Sequence, residues 1–367
     1  MTGTVTCAPE TRTHSPIRLP RTIAEVDRAW LEQALRQQRP DISVHQAQLL
    51  QSLGGACTKL RMALQTNDPD FPETVIVKGC FEPHSQAMVP NQLGEALAYA
   101  RIVPSLPELE TISCFFVQAD AEEGSALIME DLARRGADCL DARQPIASFA
   151  LAADALDSLA RLHARWWNAP ELGSDGPFGF TAALEQLTIP SYDAVLADPA
   201  ALQRTLSQPR GSAVSTELHD GPRLLAGFHA ARRNDRGLAL VLAHGDPHLS
   251  NLYVTADGRA GLLDWTCLRV PWAFDVAYFM AGCLDVTDRR RWEQPLLQHY
   301  LSCLARNGAS APGFDDAWDG YRDWLVWGLY VWLLNVPAYH SEENITAMAY
   351  RFGAAMIDHE VFSHLGV

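Results

Sequence analysis

A chain of 367 residues of which 48% are hydrophobic is long enough for two domains and too apolar to be mainly disordered, so a packed core is expected. With 44 Asp and Glu against 29 Lys and Arg, the formal net charge of -15 excludes nucleic acid and anionic membrane as general partners. The 8 cysteines are scattered singly, with no CxxC pair, and read as reduced thiols of a cytoplasmic protein.

In chain order, residues 1–20 are polar and proline-bearing, lack the charged start and apolar run of a signal peptide, and are expected to form a loose tail. Thr22 with Glu25 has the pattern of a capping box opening an amphipathic helix through Ile23, Val26, Trp30, Leu31 and Leu35, which Pro40 stops. A strand from Val44 to Gln51, the turn-like Ser52-Leu53-Gly54-Gly55, and Leu60, Met62 and Leu64 alternating with other residues predict two antiparallel strands. The β-branched run Thr74–Val77 adds a third strand ending in Lys78. A helix is predicted over Asn91–Val103, ending before Pro104, followed by a hairpin of Thr111–Val117 and Ala126–Met129 around Ala121-Glu122-Glu123-Gly124.

Beyond Asp131 the periodicity is helical, as in Phe149, Leu156, Leu159, Leu162 and Trp166. One strand cluster interrupts it: Leu238–Ala243, Leu252–Thr255, the turn Ala256-Asp257-Gly258-Arg259, and Ala260–Leu263. Helices resume at Phe274, and the apolar run Trp324–Val336 falls short of the roughly 20 residues of a spanning helix, so it is predicted to be buried. The expected class is α+β: a lobe of residues 21–130 with a small antiparallel sheet and one main helix, then a mainly helical lobe of residues 131–367.

The densest chemistry lies in His244-Gly245-Asp246-Pro247-His248-Leu249-Ser250-Asn251, followed by a hairpin leading to Asp264. Phosphoryl transfer needs a carboxylate to orient a hydroxyl and accept its proton, and hard oxygen ligands for Mg²⁺. Asp246 suits the first task, and Asn251 with Asp264 the second, because a turn at Asp257-Gly258 brings the ends of its two strands side by side. The alternative is that all three are turn or strand-end residues, but their ordered spacing favours the chemical reading. Lys78 at a strand end and Glu95 early on the next helix form a second constellation, in which a lysine holds nucleotide phosphates and a glutamate holds the lysine. Gly54 and Gly55, between the first two strands, could offer phosphate-binding backbone N–H groups, although a hairpin turn explains them nearly as well.

These residues resemble the aminoglycoside phosphotransferase and choline kinase superfamily and, within it, the ecdysteroid-kinase-like small-molecule kinases. The resemblance runs from about residue 25 to the C-terminus and is also carried by the segments Glu95–Tyr99, Leu127–Leu132, Leu159–Ala164 and Phe274–Tyr278. It implies a protein-kinase-like bilobal fold, ATP and Mg²⁺ as cofactors, and a hydroxylated small molecule as partner. It further implies Asp246 as catalytic base, Asn251 and Asp264 as metal ligands, Lys78 with Glu95 as the phosphate-holding pair, and Glu130, Asp131 and Leu132 as a hinge whose backbone reads the adenine. His244 and Asp275 would support the catalytic loop. His244-Gly245-Asp246 and Asp264-Trp265-Thr266 depart from the HRD and DFG elements of protein kinases, which argues against a protein substrate.

A metal-dependent hydrolase using His244, Asp246 and His248 is a rival, but Pro247 prevents a helical display of these residues and Lys78, Asn251 and Asp264 are left unexplained. A nucleotide-binding pseudokinase is a second rival, against which the complete set of side chains speaks. The acceptor is expected to be a hydrophobic alcohol, on the family resemblance and the aromatic residues Trp318 to Tyr339. A cationic, choline-like or aminoglycoside acceptor served by Asp315, Asp316, Asp319, Glu342 and Glu343 is the alternative. His163, on an apolar helix, is expected to be a satisfied core histidine.

Overall fold

From Thr58 to Thr66 the chain alternates so that Leu60, Met62 and Leu64 fall on one buried face while Lys59 and Arg61 fall on the other. That apolar face anchors the core of the first of two compact units in the computed structural model. The structure describes all residues except 1–4, 7–15, 54–56, 84, 86–88, 121, 180 and 234–236. The first unit comprises Met1–Asp138 with Leu263–Cys267, the second Cys139–Leu262 with Leu268–Val367. The boundary expected after Glu130 compares with a division at Asp138, because Asp131 caps the turn that follows and is ion-paired to Arg61 within the first unit.

The first unit is built on β1 (Val5–Thr6), α1 (Arg28–Leu35), β2 (Val44–Leu53), β3 (Thr58–Thr66), β4 (Thr74–Gly79), α2 (Val89–Leu97), β5 (Cys114–Asp120) and β6 (Gly124–Glu130). Its strands form one antiparallel sheet in the order β1-β5-β6-β4-β3-β2. Two expectations are corrected at its start. The Thr22 side chain makes no capping bond and Glu25 accepts from the Arg21 N–H at 2.7 Å, so Ile23–Glu25 is a lone 3₁₀ turn; α1 begins at Arg28, where Asp27 accepts from the Trp30 N–H at 2.8 Å. Within the expected loose tail, Ile17 and Leu19 are buried, because the buried amide of Gln118 needs partners and finds the Ile17 N–H at 3.0 Å and carbonyl at 2.7 Å. The helix predicted to reach Val103 is α-helical only to Leu97 and continues as a π-helical segment, Ala98–Ile102.

The second unit is mainly helical. It contains α3 (Phe149–Arg165), α4 (Pro190–Ala197), α5 (Pro199–Leu206), α6 (Pro209–Ala213), α7 (Gly221–Arg233), α8 (Ala273–Cys283), α9 (Val286–Arg306), α10 (Phe314–Leu334), α11 (Glu342–Asp358) and α12 (Val361–His364). After the two-residue β7 (Asp138–Cys139), the strands β8 (Leu240–Ala243), β9 (Leu252–Val254), β10 (Ala260–Leu262) and β11 (Leu268–Pro271) interrupt the helices. The β9–β10 hairpin turns at Gly258, whose φ of 84° is the left-handed conformation that glycine adopts without strain. The strand β11, which pairs with β8, is absent from the sequence expectations, since Leu268-Arg269-Val270-Pro271 is short and ends in proline. All of α8 is buried, and α10 contains most of the apolar run Trp324–Val336. No helix of the described residues is long and apolar enough to cross a membrane.

Candidate active site

In the first unit the sheet register places Lys59 directly opposite Lys78, two like charges on one face that repel unless an anion lies between them. Asp264 supplies that anion, with one oxygen 2.7 Å from Lys78 Nζ and the other 3.4 Å from Lys59 Nζ. On the opposite side Glu95 reaches Lys78 Nζ at 2.7 Å from α2. The backbone of α2 approaches closely because residue 94 is glycine: a Cβ there would lie 2.0 Å from the carbonyl oxygen of Thr266. Asp264 itself is held at φ 53°, which costs a non-glycine residue about 1 kcal/mol and is offset by its two ion pairs.

The electrostatics of this cluster follow from burial and neighbours. Burial alone would lower the Lys78 pKa, but Asp264 and Glu95 hold its ammonium above the usual range. Burial would raise Asp264, yet Lys78 and Lys59 hold it well below ordinary carboxylates. Burial does raise Glu95, and the like charge of Asp264 adds to the effect against the pull of Lys78. Lys78 and Glu95 are nearly inaccessible, while the Asp264 and Lys59 side chains keep 34% and 31% of their exposure.

Gly54 and Gly55 lie outside the described residues. Glu130 ends β6 and accepts from the Ser113 N–H at 3.1 Å, and Asp131 is engaged by Arg61 at 3.0 Å and by the Ala133 N–H at 3.3 Å. The carboxylates of the expected hinge are thus occupied, and Leu132 opens the following 3₁₀ turn.

In the second unit the catalytic-type loop hangs on one carboxylate. Asp275, fully buried in the first turn of α8, accepts from the backbone N–H of His244 at 2.7 Å and of Gly245 at 3.0 Å. Gly245 has φ 91°, the left-handed conformation this turn demands. The ring of His244 accepts from the Asp246 N–H at 3.3 Å, and Asn251 donates to the Asp246 carbonyl at 2.9 Å and to its carboxylate at 3.1 Å. His248 Nε2 lies 3.4 Å from the same carboxylate.

Burial would raise the Asp246 pKa, but charge interaction and hydrogen bonding with His248, helped by His340 and His244, bring it below the ordinary value. Asp246 is therefore an ionised, half-buried carboxylate at neutral pH. Of the expected site residues, the structure brings Lys78, Glu95 and Asp264 together in one unit, and His244, Asp246, Asn251 and Asp275 together in the other.

Several side chains around these sets escaped sequence reasoning. Tyr278 donates its hydroxyl to Asp246 and accepts from Trp332 Nε1 at 2.8 Å; its place one turn after Asp275 on α8 was the available signal. His340 meets His248 edge-on and lies tilted against Trp332, at ring distances of 5.5 and 4.8 Å. His163 is the satisfied core histidine expected, and its partners add a role: Nε2 donates to Asp275 at 3.1 Å, which leaves Nδ1 to accept from the Tyr300 hydroxyl at 2.7 Å.

The fold is the protein-kinase-like α+β fold, with an antiparallel sheet unit and a helical unit. A profile of the phosphotransferase enzyme family matches residues 117–324, more than half of the chain, and the chain belongs to that family. The protein is accordingly a phosphotransferase. A search of curated protein sequences finds no match. Among solved structures, a choline kinase from Cryptosporidium parvum Iowa II is similar at 12% identity and TM-score 0.53, over 92% of this chain and 97% of that one. An aminoglycoside phosphotransferase from Streptomyces rimosus is similar at 15% identity and TM-score 0.42, over 88% and 97% of the two chains. An ethanolamine kinase from Plasmodium vivax is similar at 12% identity and TM-score 0.45, over 89% and 87%. The first of these likenesses, at 12% identity, speaks to the fold alone.

Proposed function

We propose that the protein is an ATP-dependent small-molecule kinase that transfers the γ-phosphate to a hydroxyl of a neutral, hydrophobic metabolite, in the manner of the ecdysteroid-kinase-like enzymes. The observation that carries the activity is the Asp246 carboxylate, ionised, half-exposed and fixed by Asn251 on a loop that Asp275 holds. Asp246 orients the acceptor hydroxyl and takes its proton as the oxygen bonds to the γ-phosphorus and ADP leaves. Lys78, kept charged by Glu95, binds the nucleotide phosphates, and the backbone of Glu130, Asp131 and Leu132 faces the adenine. Asn251 commits its amide nitrogen to Asp246, which leaves its oxygen as a hard donor, and the Asp264 carboxylate is another donor of the kind that Mg²⁺ takes. When bound, Mg²⁺ would neutralise charge on the phosphates.

The surroundings of Asp246 favour a neutral acceptor. The titratable groups that lower its pKa are His248, His340 and His244, so a second carboxylate to hold a cation is not among them. Of the acidic residues considered for a cationic acceptor, Glu342 is paired with Arg210 at 2.5 Å, and Asp315 and Asp316 are exposed at the start of α10. None of the described cysteines is in a disulfide, which suits a reducing cytoplasm. The test is a screen of hydroxylated metabolites for an ATP-dependent mass gain of one phosphate. Phosphorylation of apolar alcohols supports the reading; phosphorylation of choline-like amines alone overturns the acceptor class, and ATP binding without any product from an extensive panel overturns turnover.

A further inference from the structure

Behind the catalytic-type loop, α3 and α9 meet at a cluster that phosphoryl transfer does not use. His299 and Cys303, four residues apart on α9, share one face of the helix, and Asp157 of α3 projects between them. The imidazole Nε2 is 2.8 Å from Asp157 Oδ1 and 3.4 Å from Cys303 Sγ, and the thiol donates to the same carboxylate oxygen. All three donor atoms lie within 4.8 Å of one another. Arg306, one turn further along α9, places its guanidinium 2.8 Å from the sulfur and 3.9 Å from Asp157.

A neutral thiol is a weak donor and a weak acceptor, so a buried one ringed by a carboxylate, an imidazole and a guanidinium has more polar partners than it can use. Deprotonated and bound to a cation, the same sulfur would use its surroundings fully. We propose that Asp157, His299 and Cys303 form a zinc-binding site that ties α3 to α9. One carboxylate oxygen, one imidazole nitrogen and one thiolate are the donor set that selects Zn²⁺ over Mg²⁺, with a fourth position left for water. Donors about 2.0–2.3 Å from a tetrahedral ion stand roughly 3.3–3.7 Å apart; His299 and Cys303 already have that spacing, and the Asp157 side chain, with 29% of its exposure retained, would withdraw from both to admit the ion. Arg306 occupies the approach as the competing cation, and with 62% of its exposure retained it is free to swing into solvent.

On binding, the Cys303 S–H bond breaks, a Zn–S bond forms and the proton passes to solvent. Because the ligand sulfur must lose its proton to bind, apparent affinity rises with pH. The ion would stiffen the helix pair that presents His163 to Asp275, since Tyr300, the partner of His163, follows His299 directly. This role concerns the scaffold and does not depend on the identity of the acceptor.

Titration of the chelator-stripped full chain with Co²⁺, followed by displacement with Zn²⁺, tests the proposal. One equivalent of Co²⁺ should produce a thiolate-to-cobalt charge-transfer band with the visible bands of a tetrahedral ion. Cys303→Ser should abolish the charge-transfer band. His299→Gln and Asp157→Asn should each weaken Zn²⁺ by more than the roughly 10–100-fold that loss of an outer partner of a metal ligand costs. Arg306→Ala should tighten it by removing the competing cation. Absence of the band in the wild-type chain, its survival in Cys303→Ser, or weaker binding in Arg306→Ala would overturn the site. Should Cys303→Ser fail to fold, the opposite effects expected of His299→Gln and Arg306→Ala decide.

Discussion

The two sets of site residues are held by different physics. In the first unit, Lys78, Lys59, Glu95 and Asp264 come from β4, β3, α2 and the segment after β10; the sheet register sets the two lysines side by side, and ion pairs between side chains tie Glu95 and Asp264 to them. In the second unit, residues 244 to 251 fold on themselves through short hydrogen bonds, and Asp275 anchors them by their backbone. A charge cluster fails when one member is removed, because the others stay buried without a partner. A backbone-anchored loop can lose the tip of a side chain and keep its shape.

The comparison is tested most severely by Asp246→Asn. An amide oxygen in the place of Oδ2 can keep the bonds from Asn251 and His248 but cannot take a proton, so turnover should fall by about 10² to 10⁴ while MgATP affinity stays within a few-fold. Calorimetric titration of MgATP beside a turnover assay measures both. A comparable collapse of nucleotide affinity would show that the loop depends on its carboxylate for shape.

Lys78→Ala should destabilise the fold by about 3–5 kcal/mol, the usual consequence of breaking a buried ion pair, and should also weaken MgATP. The loss should depend on pH in a definite direction. Glu95 is already raised by burial, and without Lys78 it would be raised further, so its protonated form suits the folded variant. The deficit should therefore be small below the ordinary glutamate value of about 4.3 and grow as pH rises through the elevated value in the folded state. Urea midpoints across that range measure it. Replacing the pair together, as Lys78→Met with Glu95→Leu, should recover most of the stability but none of the nucleotide binding.

Asp275→Asn probes the anchor. One of the two N–H groups, of His244 or Gly245, would face an amide NH₂ in place of an oxygen, and an unpaired buried donor costs about 1–3 kcal/mol. Stability and turnover should fall together while MgATP affinity holds; a fall in affinity instead would move Asp275 out of the supporting role.

How much of this could be read from the sequence follows the same division. The loop was legible because His244, Asp246 and Asn251 lie within eight residues, and local spacing carries local geometry. Lys78 and Glu95 were legible through their order, a strand end followed by a helix. The second lysine was not, because pairing Lys59 with Asp264 requires the β3–β4 register and a chain return 205 residues later. Tyr278 was obscured for a related reason, since it lies in the buried, apolar helix α8, where periodicity shows burial and hides the polar atom; His340 lies in the turn before α11, far in sequence from His248. The Thr22 capping box misled because the motif describes what side chains can do, while Glu25 found a closer donor in Arg21.

Lys59→Ala should have the smallest effect. Lys59 stands opposite Lys78 and shares Asp264 with it, but its side chain keeps 31% of its exposure and its ion pair is long, at 3.4 Å. A partly exposed pair contributes within about 1 kcal/mol, and removing a like charge opposite Lys78 relieves repulsion that offsets part of that. The variant should thus unfold within about 1 kcal/mol of wild type, and the difference should shrink with added salt, which screens exposed charges more than buried ones. If Lys78 alone holds the phosphates, MgATP affinity should drop only a few-fold in Lys59→Ala and far more in Lys78→Ala. Equal losses would mean that the two ammonium groups, set side by side by the sheet register, clasp the phosphates together, and that the division of roles between them is wrong.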